Sequence, residues 1–396
     1  MRVLTPYRAV LAAPGARRLV LTSLGARLSF GLFDLALVVL VERETGSFAV
    51  AGLAVGAHAA GIGVTAPLRG RLLDRYGARR VLPPLVGVHA LSVAALAVAG
   101  SAGLMVALAA LAGVAVPPLV AAMRLEWQRM LGVGSPPLAT AYAFETTAQI
   151  GVFLVGPLVA AAGLALVGPE APLLASAVLV AGFGLRFARI AETAPHPTRP
   201  RVRGLGSIRL RGVRTLVLAT VLADAALGTV DVAVIAFATE RGQEAAAGVL
   251  LALFTTGAVI GGTAYGARDW RTPPLRRLAA VLAAFAAALL ALALAGSLAV
   301  LAVLLLLAGA PSAAQWATAS VALDGVTPTG QGAEAATWLS SANAAGIALG
   351  GVVAGLLVER QGPPAAFFAA AGLAAAAALV VLARRPAMSA FEAPAR

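Results

Sequence analysis

The sequence has no cysteine, no lysine and only three histidines, and just 12% of its residues are charged. The missing cysteine excludes disulfides, thiol catalysis and cysteine-ligated metals. His58, His89 and His196 are widely spaced and do not suggest a zinc site. Soluble proteins carry about 25% charged residues, so a water-soluble globule is excluded as well. There is no phosphate loop ending in Gly-Lys-Ser/Thr, no dinucleotide fingerprint and no Ser/His/Asp set. ATP-driven pumping within this chain and the common enzymatic chemistries are therefore not expected, and no cofactor or metal is called for.

What is abundant is apolar: 60% of 396 residues. A membrane-crossing helix takes roughly 20 apolar residues. Apolar runs between Arg, Pro and Gly clusters fall at 19–41, 47–68, 80–99, 103–123, 138–164, 171–187, 215–238, 245–265, 275–296, 298–322, 334–358 and 363–383. The expectation is an all-α integral membrane protein of twelve transmembrane helices, with the lipid bilayer as its first partner. The opening segment MRVLTPYRAVLAAPGARR reads as part of a retained anchor rather than as a removable signal.

Every basic residue is arginine, and the formal net charge is +13. The arginines sit in short clusters between apolar runs, without the basic domain that nucleic acid would need. With the N-terminus inside, only Arg43, Arg241 and Arg360 fall in outer loops, and Arg27 lies within a span. All other arginines are then cytoplasmic, as the positive-inside bias requires, and both termini lie in the cytoplasm. Arginine in place of lysine, with heavy Ala and Gly usage, points to the plasma membrane of a bacterium. Residues 190–213 form the one long polar stretch, expected as a cytoplasmic linker between six-helix bundles at 1–189 and 214–396.

The halves match weakly when shifted by about 197 residues. Arg27 then meets Asp224, Gly31 meets Gly228, and Asp34 meets Asp231. Near a shift of 194, PPLVAAMR (117–124) meets PSAAQWAT (311–318), and QIGVFLVGP (149–157) meets NAAGIALGG (343–351). Ordered matches of this kind indicate duplication, the usual basis of a secondary transporter.

The segment GRLLDRYGARR at 70–80 resembles the signature between spans 2 and 3 of the major facilitator superfamily, departing at Ala78. The resemblance covers the whole chain in span count, linker and half-repeat. It implies two pseudo-symmetric bundles rocking about a central cavity, with Gly70, Asp74, Arg75, Gly77 and Arg79 as a conformational switch. Asp74 is expected near the positive end of a helix dipole from the other half. The pair Gly156-Pro157 in span 5 is similar to a bend carried by many proton-driven exporters of the family. The family's Arg-x-x-x-x-Gly pattern is absent from span 4, so no relay role passes to Arg124.

Five ionisable groups fall inside spans: Arg27, Asp34, Glu145, Asp224 and Asp231. Each costs roughly 2.5–3.5 kcal/mol at a helix centre, so they must face water, pair or titrate. Arg27 and Asp34 are seven residues apart, as are Asp224 and Asp231, so each pair shares one helix face. The resemblance sets spans 1 and 7 face to face, which predicts an Arg27–Asp224 ion pair between halves with Asp34 and Asp231 about 10 Å further out. Glu145 is expected either as a proton carrier or bonded to Arg124 or Arg129. Phe30, Phe33, Gln149, Gln315, Trp316, Trp338 and Asn343 are the candidate substrate contacts; Trp127 and Trp270 are expected as interfacial anchors, and His58 near the cavity.

The function expected is secondary active transport driven by the proton gradient, foremost antiport that exports a small amphipathic or cationic metabolite or drug. The alternatives are proton symport of a sugar or organic acid and, lesser, a non-transporting membrane sensor. The partners are then a small-molecule substrate and protons, and the chain is expected to act as a monomer.

Overall fold

The computed structural model describes residues 8, 10–132, 135–191, 207–268, 270–327 and 332–384. The first half holds α1 (Ala16–Thr45), α2 (Phe48–Tyr76), α3 (Ala78–Leu96), α4 (Ala102–Val114), α5 (Leu119–Leu131), α6 (Pro136–Leu166) and α7 (Glu170–Ile190). The second holds α8 (Arg211–Thr239), α9 (Ala246–Gly266), α10 (Pro274–Leu292), α11 (Leu298–Val326), α12 (Gly332–Gln361) and α13 (Pro363–Arg384). Most of the expected linker, 192–206, lies outside the described residues.

Twelve spans result when α4 and α5 are taken as one, and eleven of these are long and apolar enough to cross a membrane. The exception is α3, whose apolar run is diluted by Arg79, Arg80, Pro83, Pro84 and His89. Local chemistry sets the boundaries. Gly46 closes α1 in the left-handed region, and the Ser47 hydroxyl then caps α2 by accepting from the Val50 N–H.

Two expectations need correction. Residues 70–76, read as a loop, are the last turns of α2. Gly77 alone turns the chain at φ 75°, a conformation glycine adopts without steric cost, and α3 starts at the next residue. Span 4 is not continuous either. Val116-Pro117-Pro118 separates α4 from α5, because two adjacent prolines remove two amide donors and crowd the preceding turn. The equivalent place in the second half carries a single proline, Pro311, and α11 passes through it unbroken.

Between the halves, α2 packs on α12, α6 on α9, and α1 on α8. These contacts gather at one end. A Cβ on Gly52 would lie 2.2 Å from the Gly351 carbonyl oxygen, and one on Gly248 2.2 Å from that of Pro157. The apolar cores follow the same division. One core near this end draws on both halves, from Leu32–Val41 and Ala51 to Ala226–Ala238 and Phe367. At the other end, where most arginines lie, each half keeps its own core: one around Trp127 and Phe187, the other around Leu216, Leu278 and Leu323. The halves are thus joined at one end and parted at the arginine-rich end.

Candidate functional site

The two inner helices carry the same pattern of burial. From Gly31 to Val41 every residue of α1 is buried except Asp34, and from Gly228 to Ala238 every residue of α8 is buried except Asp231. Both aspartates are exposed, at matching positions of the paired helices α1 and α8. Among the described residues neither has an ion-pair partner. An acid on each half without a cation partner can take up a proton or accept a cation.

The expected Arg27–Asp224 pair does not form. Arg27, 1% exposed, donates from Nη1 to Glu145 Oε2 at 2.6 Å and from Nε to Gln149 Oε1 at 2.8 Å. Glu145 and Gln149 are four residues apart on α6, which lays both acceptors along one helix face for the guanidinium fork. Trp127 Nε1 donates to Glu145 Oε1 at 3.4 Å and is fully buried, so it is part of this cluster and not the interfacial anchor expected. Glu145 accordingly bonds Arg27 rather than Arg124 or Arg129. A buried pair gains little net stability because desolvation offsets the attraction, yet removing one partner costs about 3–5 kcal/mol.

Asp224 is buried in the matching place of the second half. Gln315 Nε2 donates to its Oδ1 at 3.4 Å, its Oδ2 has no hydrogen-bond partner, and Asn343 and Trp316 stand beside it. A cavity of about 20 Å³ touches Asp224, Gln315 and Trp316, enough for about one water. Gln149 and Asn343 are equivalent under the 194-residue shift, so the repeat keeps an amide beside each inner charge and reverses the sign of that charge.

A larger cavity of about 490 Å³ lies in the wall of the first half, lined by Arg27, Phe30, Arg69, Arg124 and Gln149 together with the break between α4 and α5. Arg69 had been counted with the loop arginines. It is instead 5% exposed inside α2, and its guanidinium donates to the carbonyls of Val116 and of Ile62, the latter at 2.7 Å. The signal for the Val116 bond was the double proline, which ends the helix there and leaves that carbonyl outside a helical ladder; nothing in the sequence marked the Ile62 bond.

Other expected contacts fall elsewhere. Phe33 is buried against the His58 ring at 4.4 Å between centroids, and His58 Nδ1 lies 3.2 Å from the Ala109 carbonyl, so neither faces the cavity. Trp338 is half-buried over Glu334, one turn earlier on α12. Trp270 is partly exposed beside Arg268, Arg277 and Tyr265, as an anchor would be. Gly70 lines the larger cavity, Arg75 stacks on Tyr76, and Asp74 and Arg79 are exposed. Gly156-Pro157 leaves α6 unbroken; a Cβ on Gly156 would lie 2.5 Å from the Gly31 backbone, so the pair serves a close crossing of α1.

The sequence matches the Major Facilitator Superfamily over residues 19–215 and 216–396. The chain belongs to that superfamily and is a membrane transporter, not an enzyme. No curated protein matches the sequence. Among solved structures it is similar to the nucleoside transporter NupG, with 16% identity, TM-score 0.76, and coverage of 92% of this chain and 98% of that one. The human organic anion transporter MFSD10 is 20% identical with TM-score 0.64, covering 93% and 99%. A peptide transporter of the POT type, in complex with sulfate, is 14% identical with TM-score 0.76, covering 95% of each. At these identities the likeness is one of fold.

Proposed function

We propose that this superfamily member is a proton-coupled transporter working by alternating access, with the facing pair Asp34 and Asp231 as its proton carrier. The pair is the observation that carries the reading: two acids without a cation partner, one on each half, at the seam that must open and close. Rocking the halves changes the separation of the two carboxylates, and with it their hold on a shared proton. One proton moving inward supplies about 2.3 kcal/mol per 100 mV and about 1.4 kcal/mol per pH unit. The arginine-rich end is taken as cytoplasmic, in a bacterial plasma membrane, which makes the present conformation inward-open.

For the transported molecule, antiport exporting a small amphipathic solute is the first reading. Its preference for a cation rested on four acids against Arg27, and that surplus is smaller once Glu145 is bound to Arg27 and Arg69 lies within the bundle. Proton symport of an organic acid is the second reading, favoured by the arginine-lined cavity. Nucleoside and organic anion transporters among the similar folds make neutral and anionic solutes the natural probes.

The test is flux of a nucleoside, an organic anion and an organic cation into proteoliposomes under an imposed pH difference. The double variant Asp34→Asn, Asp231→Asn is expected to lose gradient-driven accumulation while keeping gradient-free exchange. Gradient-driven flux at the wild-type rate in that variant overturns the assignment. Reversing the gradient separates export from uptake.

A further inference from the structure

The cavity in the first half's wall has a chemistry that the proton reading does not use. Its lining brings three guanidiniums to one space: Arg27, Arg69 and Arg124. Among the described residues, Arg27 is the one of the three with an acid partner. Arg69 is buried, and two of its nitrogens donate to carbonyls that carry no charge to match its own. Arg124 is exposed to the cavity with its guanidinium 5.7 Å from the centre of the Tyr142 ring. The break in span 4 adds a third element. Leu119, Val120 and Ala121, the first residues of α5, line the same cavity, and Pro118 before them supplies no side-chain cap. The Leu119 N–H is taken by the Pro117 carbonyl at 2.8 Å; the next N–H groups of a helix start have no partner within it, and their dipoles favour an anion.

We propose that this cavity seats the anionic group of the transported solute, a carboxylate, phosphate or sulfonate, between Arg69, Arg124 and the start of α5. The proposal rests on the transport reading above and holds for export or uptake. Arg69 has five N–H donors, so its bonds to two carbonyls leave others for a ligand. Arg27 keeps Glu145 and serves as a fixed wall. Phe30, on the same cavity, offers an apolar surface for the rest of the molecule.

Binding is measured on purified protein in neutral detergent at one pH, without any gradient. The probes share an aromatic body and differ in charge: benzenesulfonate, phenyl phosphate, benzyl alcohol and benzyltrimethylammonium. The two anions are expected to bind, and the neutral and cationic probes at least about tenfold more weakly. Arg124→Gln, on the exposed side of the cavity, is expected to weaken the anions about tenfold or more and leave the thermal midpoint unchanged. Arg69→Lys, which keeps a charge but not the fork, is expected to weaken them as well. Equal binding of all probes, or an unchanged anion affinity in Arg124→Gln, overturns the proposal. So does displacement of benzenesulfonate by phosphatidylglycerol in lipid discs, which would assign the site to a lipid headgroup. Because no gradient is present, a failure of proton coupling leaves this outcome untouched, and the two readings fail separately.

Discussion

Helices α2 and α12 cross between the halves in opposite directions, and their two ends have different partners. At the joined end, Glu359 near the close of α12 accepts from the Ser47 hydroxyl and, at 2.8 Å, from the Ala49 N–H. A carboxylate of one half thus caps the first turn of a helix in the other. At the parted end, Asp74 near the close of α2 is exposed and, among the described residues, makes no hydrogen bond or ion pair. Each helix therefore carries an acid close to its own C-terminus, and only that of α12 caps the other helix in this structure. On the proposed alternating access, closing the second end while opening the first would exchange the Glu359 cap for one made by Asp74. The difference between the two ends then teaches where a small net cost of rocking would come from: which cap is formed rather than how many.

The largest test of this comparison is to deny the joined end its freedom to part. A Cβ on Gly63 would lie 2.8 Å from that of Ala344 across the seam, while a disulfide needs about 3.5–4.5 Å. The double variant Gly63→Cys, Ala344→Cys is expected to cross-link after a small widening, with no native cysteine to compete. Oxidation should abolish flux in proteoliposomes and reductant should restore it. Full flux in cross-linked protein would mean that this end never opens.

Much of this was legible in the sequence, because a bilayer forces each backbone group to be satisfied within its own helix, so apolar run length alone marks the spans. The half-repeat likewise matched Asp34 with Asp231, and the family resemblance set their helices face to face. The partner of Arg27 was not legible from depth. Pairing depends on how α6 is rotated about its axis, which composition does not encode, although Glu145 and Gln149 at a four-residue spacing were the available sign. Trp127 failed for the same reason: its depth suggested an interface, and its rotation turned it inward. Arg69 was lost because charge was taken as the end of a span. The adjacent Pro117-Pro118, read for what two missing amide donors do, would have shown both the break in span 4 and the need for a donor beside it.

A smaller effect is expected from removing the cap that is made. Glu359→Ala deletes the acceptor for Ser47 and Ala49 and leaves the shared apolar core in place. The population should move away from the conformation seen here by roughly threefold, read as slower reaction of an impermeant thiol reagent with Ala121→Cys, the only thiol in the chain and exposed in the cavity. Glu359→Gln, which keeps an acceptor, should recover part of the change. An unaltered labelling rate in Glu359→Ala would reduce the contact to a surface detail.

Asp74→Asn is the smallest change and the most discriminating one. In the conformation seen here Asp74 makes no hydrogen bond or ion pair among the described residues, so stability is expected to change by less than about 0.5 kcal/mol, read as a nearly unaltered thermal midpoint. The effect belongs to the opposite state, where the carboxylate is expected on the start of α12. Losing it there should raise the population of the present conformation by about twofold, and Ala121→Cys should label faster. The two substitutions must therefore shift one labelling rate in opposite senses, Glu359→Ala down and Asp74→Asn up. If both shift it the same way, the acids at the ends of α2 and α12 are not alternatives, and the balance between the two ends has another origin.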